Sequence, residues 1–215
     1  MKRNIFSLIL LPFLLLSCGA LWQSDSKNPV ELARTGEYKE AAAALEPMVA
    51  GGNFDPNIVE NLYYSWIRTG DYSKAREKFE AWSTANPNAG PVRLAAGRIN
   101  HLTGNYERAL THVNPILNFS NVGVAAQYEK ASILEDTGKR EEAEAIYKKL
   151  IENFENGVTR APNDLFWIAR ALRATEKFHD ANDLLKLVTQ ANPRNAEAFV
   201  AVSYTHLTLP TIYSV

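Results

Sequence analysis

Four glycines in this chain fall on one ruler. Gly36, Gly70, Gly104 and Gly138 follow one another at intervals of 34 residues. With helical patterning on both sides, that interval is the period of a solenoid built from pairs of helices. The text around each glycine recurs as well. It reads Thr35-Gly36-Glu37-Tyr38 with Ala41, Thr69-Gly70-Asp71-Tyr72 with Ala75, Thr103-Gly104-Asn105-Tyr106 with Ala109, and Thr137-Gly138-Lys139-Arg140 with Ala143. A fifth copy, Glu176-Lys177-Phe178 with Ala181, arrives 38 residues after Gly138 and carries Glu176 in the glycine's place. Four additional residues therefore belong between the fourth and fifth copies, and the segment 153–162 is where they are expected.

Each glycine separates two amphipathic patterns. Ile58, Val59, Leu62, Trp66 and Ile67 precede Gly70, and Ala75, Phe79 and Trp82 follow it. Both sets recur at steps of three and four, which marks one apolar face on each of two helices. The glycine is expected to end the first helix in a left-handed conformation. Tyr38, Tyr72 and Tyr106 are placed to pack across the turn. Ala41, Ala75, Ala109 and Ala143 are small where the two helices of a hairpin must approach. Pro47 and Pro115 occupy the same place in their repeats, inside a second helix, and each is expected to kink it.

The pattern resembles the tetratricopeptide repeat. In the second copy the matching residues are Leu62, Gly70, Tyr72, Ala75, Phe79 and Pro87; in the fifth they are Leu165, Ala169, Phe178, Ala181, Leu185 and Pro193. Tyr63 departs from the family where a small residue is preferred, Arg140 departs where an aromatic is preferred, and the first copy has a shortened first helix. The resemblance implies an all-α fold. Antiparallel helix pairs would stack into a right-handed superhelix of about five repeats over residues 29–200, interrupted in a sixth. No strand pattern competes.

Residues 1–17 read as an address. Met1-Lys2-Arg3 is basic, and Ile5 to Leu16 is apolar but too short to span a bilayer. The run ends in Leu15-Leu16-Ser17-Cys18-Gly19, which resembles a bacterial lipobox. That resemblance implies cleavage before Cys18, acylation of Cys18, and a polar tether over residues 18–28. The chain would then sit in the bacterial cell envelope. Gly19, with no aspartate after the cysteine, favours the outer membrane facing the periplasm in a Gram-negative host, and otherwise the outer face of the cytoplasmic membrane applies. Several acyl chains on one residue anchor durably where one does not. Cys18 is the chain's one cysteine, so an intramolecular disulfide is excluded.

The other end breaks the helical period. Val202-Ser203-Tyr204-Thr205-His206-Leu207-Thr208-Leu209-Pro210-Thr211 is rich in threonine where a sixth repeat would begin. Read as codons, it resembles the translation of a transposase-based sequencing adapter. Residues 201–215 are therefore expected to be non-native, with Ala196-Glu197-Ala198-Phe199 as the opening of an interrupted sixth repeat.

Nothing in the remaining sequence assembles chemistry. His101, His112 and His179 show no metal-ligand spacing, and the glycines are hairpin turns rather than a phosphate loop. The expectation is no cofactor, no metal and no catalytic constellation in the visible region. The formal net charge of −1 gives no footprint for nucleic acid, and no small-molecule substrate is evident. A groove for a protein or peptide partner is the better candidate. The family resemblance implies that first helices line the concave side, which places Glu60, Tyr64, Arg98, His101, Tyr128, Glu135, Phe166, Arg170 and Arg173 there. Arg170 and Arg173, one turn apart, suit an acidic group. The same aromatic spacing also fits packing between repeats, and His101 also fits a plain surface histidine. Glu60 and Tyr64 stand where the family's carboxylate clamp would need lysine and asparagine, so that clamp is not expected. Two functions follow: a lipid-anchored envelope scaffold, or the N-terminal repeat region of an envelope hydrolase, such as a zinc peptidase, whose catalytic domain lies further downstream.

Overall fold

The computed structural model describes residues 27–159 and 161–191. Cys18 with the leader before it, and the tail 201–215, lie outside the described residues. Helices are the regular elements of the described chain, and they come as five pairs. These are α1 (Pro29–Arg34) with α2 (Tyr38–Ala50), α3 (Pro56–Thr69) with α4 (Tyr72–Ala85), α5 (Gly90–Leu102) with α6 (Tyr106–Val113), α7 (Gly123–Asp136) with α8 (Arg140–Glu155), and α9 (Pro162–Ala174) with α10 (Phe178–Ala191). No helix among the described residues is long and apolar enough to cross a membrane.

The repeated turn explains the glycine ruler. Gly36, Gly70, Gly104 and Gly138 have φ of +89°, +82°, +75° and +80°. In that conformation the next amide reaches back over the helix end. Glu37 N–H donates to the Leu32 carbonyl at 2.9 Å, and Asp71 to Trp66, Asn105 to Asn100 and Lys139 to Leu134 each at 2.8 Å. These bonds satisfy carbonyls that the helix terminus leaves open. The preceding threonine adds a second bond: Thr103 Oγ1 donates to the Ile99 carbonyl at 2.8 Å and Thr137 Oγ1 to Ile133 at 2.9 Å. Glu176 keeps the geometry without being glycine. Its φ is +62°, and Lys177 N–H still donates to the Leu172 carbonyl at 2.8 Å.

Starts are specified as locally as ends. Asp55 caps α3 by accepting from the amides of Asn57 and Ile58, and Pro56 takes the first helical position, where no amide is needed. Asn28 and Pro29 do the same for α1. At the hairpin interior, Ala41, Ala75, Ala109 and Ala181 are fully buried, and Ala143 nearly so.

Stacking sets the curvature. Consecutive first helices α1, α3, α5, α7 and α9 pack on one another, and second helices pack on their own partner or the next first helix. The backbones of consecutive second helices stand farther apart and are bridged by side chains, as at Lys74–Glu46 (2.6 Å) and Ser83–His112 (3.2 Å). The first helices therefore form the tighter, inner wall, which is what gives a stack of hairpins a concave side.

Two local expectations meet a different outcome, and a third, the site of the four additional residues, is met within 153–162. Pro47 stays inside an uninterrupted α2, whereas at Pro115 the chain leaves α6 after Val113 and makes one 3₁₀ turn, Asn114–Ile116. The two prolines in register therefore do not produce one common kink. The four additional residues after the fourth copy divide between a longer α8 and the connection that leads to α9. Tyr72 does not pack across its turn; it is 42% exposed, while Tyr38 lies under the Arg68 guanidinium at 5.4 Å from its ring.

Candidate functional site

The inner wall encloses a groove of about 850 Å³, lined from α1, α3, α5, the segment entering α7, and α9. Glu60, Tyr64, Arg98, Phe166, Arg170 and Arg173 all line it. Their positions follow from the helical repeat. Residues one turn apart on α9 share a face, and α3 and α5 present theirs in register because each runs into the same glycine turn.

Two arginines organise the groove floor. Arg98 on α5 lies over the rings of Tyr63 at 4.5 Å, Tyr64 at 5.1 Å and Trp167 at 5.2 Å. Its guanidinium donates to the Tyr64 hydroxyl at 2.6 Å and lies 3.6 Å from Glu60. Arg170 on α9 lies over Tyr128 at 4.6 Å, Trp167 at 5.4 Å and Phe166 at 5.8 Å. Trp167 is shared, so the third pair touches the fifth directly and the groove is narrow there. Stacking on aromatic faces holds a guanidinium plane in place while its edge donors remain available.

The other sequence candidates sit elsewhere. Tyr128 is buried beneath Arg170 and does not line the main groove. Burial raises its pKa, against the opposing charge of Arg170. Glu135 accepts from the Tyr147 hydroxyl at 3.2 Å, which ties α7 to α8. His101 is neither a groove residue nor an exposed one. Its Nδ1 lies 2.6 Å from Glu129 and its Nε2 2.9 Å from Asp136, with the side chain only 13% exposed. Ionised carboxylates only accept, so an arrangement with one at each ring nitrogen favours the imidazolium form. Burial lowers the His101 pKa, but the Glu129 hydrogen bond and charge, with those of Asp136, outweigh it and leave it raised.

Among the groove residues that the sequence reading missed, four carry its aromatic faces and added charge. Tyr63 and Trp167 form the faces on which Arg98 stacks, and Arg34 and Arg68 add cations at the α1 and α3 end. One signal was available: Tyr64 and Arg98, which bond across the wall, are 34 residues apart. Equivalent positions in neighbouring repeats are neighbours in space. Asp164, half-buried at the α9 entrance, has its pKa raised by burial.

Residues 124–156, which are essentially the fourth pair, match the tetratricopeptide repeat family model. No curated protein matches the chain. Among solved structures, a thermophilic TPR protein in Thermus thermophilus is similar over 83% of this chain and 95% of its own, with 15% identity and a TM-score of 0.56. MamA from AMB-1 (17% identity, 75% of this chain, 94% of its own, TM-score 0.47) and the TPR-like repeats of a putative kinesin light chain from Podosopora anserina (19%, 75%, 92%, 0.47) are more distant in shape. At these identities the likeness speaks to fold. With the repeated turn, the stacked pairs and the match over residues 124–156, it shows a tetratricopeptide-repeat solenoid fold.

Proposed function

We propose that this protein is a lipid-anchored scaffold of the bacterial envelope that captures a protein partner along its concave wall. The observation that carries capture is the groove itself, in which stacked arginines and aromatic side chains from three separate repeats converge. Such a wall offers broad contact without a reacting group, which suits recruitment. Anchoring rests on the Leu15-Leu16-Ser17-Cys18 sequence, and lipid on Cys18 would fix the position from which the groove works.

Each half has its own test. A photo-crosslinking residue at Asn163, in the groove lining, should yield adducts in cells that the same residue at Lys149 on the outer face does not. Equal labelling from both positions would refute groove capture. Cys18→Ser should move the protein from the membrane fraction to the soluble one; continued membrane recovery would refute lipid anchoring.

A further inference from the structure

The groove differs in charge from the chain that builds it. The whole chain is nearly neutral, with 23 basic and 24 acidic residues. The groove lining nevertheless gathers Arg34, Arg68, Arg98, Arg170 and Arg173 against only Glu60 and Asp164. Glu60 already faces Arg98. Among the described residues no carboxylate forms an ion pair with Arg34, Arg68, Arg170 or Arg173. Every cation in the lining is an arginine, although lysine is frequent on the outer helices. Arginine is the cation that recognises carboxylates through two parallel bonds and tolerates stacking on rings. The uncharged lining mixes apolar side chains, Val59, Leu94, Val122 and Leu165 among them, with the amides of Asn57, Asn61, Asn121 and Asn163.

We infer that the occupant of the groove is an acidic segment of a partner protein, with carboxylates for the arginines and apolar side chains for the floor between them. Arg170 and Arg173 are the principal recognition pair, because they lie one turn apart on α9. Arg98 and Arg170 are held on one shared ring, no farther apart than the sum of their distances to it, so the cationic track is continuous from α5 to α9. A concave low-dielectric wall concentrates the field of such charges and strengthens attraction to an oppositely charged chain. This inference rests on the groove reading above and adds the chemistry of the partner.

The test is selection of random peptides of roughly a dozen residues on the full chain in detergent solution, followed by anisotropy titration of the enriched sequences. Peptides rich in Asp and Glu should be enriched. Their affinity should fall about tenfold or more in Arg173→Glu and fall steadily with ionic strength. Arg173→Glu breaks no ion pair of the described structure, and a control reversal at exposed Lys149 on the outer face should leave binding unchanged. Arg170→Lys, which keeps the charge but loses the planar fork, should weaken binding less than Arg170→Glu. Enriched peptides without acidic bias, yet sensitive to Tyr64→Ala, would overturn the acidic partner while leaving the groove reading standing. No enrichment at all would overturn both. A single-stranded oligothymidine that binds more tightly than every enriched peptide would overturn the acidic-peptide assignment in favour of phosphate chemistry.

Discussion

The buried core is divided into two clusters, and they are not joined in the way each is built. Leu45, Leu62, Trp66, Phe79 and Ile99 belong to the first, which fills pairs one and two and the inner face of α5. Ile116, Ile133, Leu150, Ile168 and Leu185 belong to the second, which runs to the end of the described chain. Helix α5 serves both, with Ile99 in one and Leu94 in the other. Polar contacts gather around this shared helix. Buried Asn100 donates to Glu80 at 2.8 Å, and Arg108 reaches Glu80 at 3.3 Å. Ser83 meets His112 at 3.2 Å, and Arg93 donates to the carbonyls of Thr111 and Pro87. His101 binds Glu129 and Asp136 on the other side. Within each cluster, stability comes from apolar area removed from water; at the seam it depends on hydrogen bonds and charge. A stack of repeats is nearly one-dimensional, so the seam is where the two halves can come apart.

Core truncation is the strongest way to break that picture. Phe79 has no exposed surface and touches Tyr63, Trp66 and Trp82. Phe79→Ala should cost about 4 kcal/mol. Hydrogen exchange should then show lost protection in α1 to α4 and little change in α9 and α10. Equal loss in both regions would mean that the clusters unfold as one unit and that the seam has no special status.

The seam itself should respond to pH in two opposite senses. His101→Ala removes the partner of Glu129, which is only 6% exposed, and should cost about 2 kcal/mol. His101→Gln removes only the charge. Because the folded-state pKa of His101 is raised, its contribution is fully present below the unfolded value of about 6.5 and disappears as pH rises through the folded value. His112 behaves the other way. Burial chiefly holds its pKa down, opposed by Glu80 and assisted by Arg93 and Arg108. Its contribution is present above about pH 6.5 and is lost as pH falls through the lowered folded value. Thermal melts across pH should therefore give difference curves, wild type minus His101→Gln and wild type minus His112→Gln, that slope in opposite directions. Two curves of the same sign would remove the electrostatic account of the seam.

The turns and pairings of this fold were legible because they are encoded locally. A left-handed glycine and an alanine five residues later act within one hairpin, and the sequence repeats them in register. Six of the nine candidates that the family resemblance placed on first helices line the groove, because the same repeat geometry holds from copy to copy. What was hidden depends on contact between repeats. His101 finds its partners 28 and 35 residues away, and Arg98 meets Trp167 only because the stack curves enough to bring the third pair to the fifth. Pro47 and Pro115 make the same point within a repeat. Equal register did not give equal outcome, because the chain ends α6 before Pro115 but carries α2 through Pro47.

The smallest expected effect concerns the last turn, in the second cluster, where the ruler is broken. Glu176 adopts the left-handed conformation that glycine adopts in the other four copies. That conformation costs a residue with a Cβ roughly 1–2 kcal/mol. Part of this is offset, because glycine loses more freedom on folding. Glu176→Gly should therefore stabilise the array by about 1 kcal/mol, and the gain should appear in the exchange protection of α9 and α10. Because α1 to α4 lie across the polar seam, their protection should not move with it. A gain spread evenly along the chain would show that the fifth turn limits the whole array, and the division at α5 would then have to be abandoned.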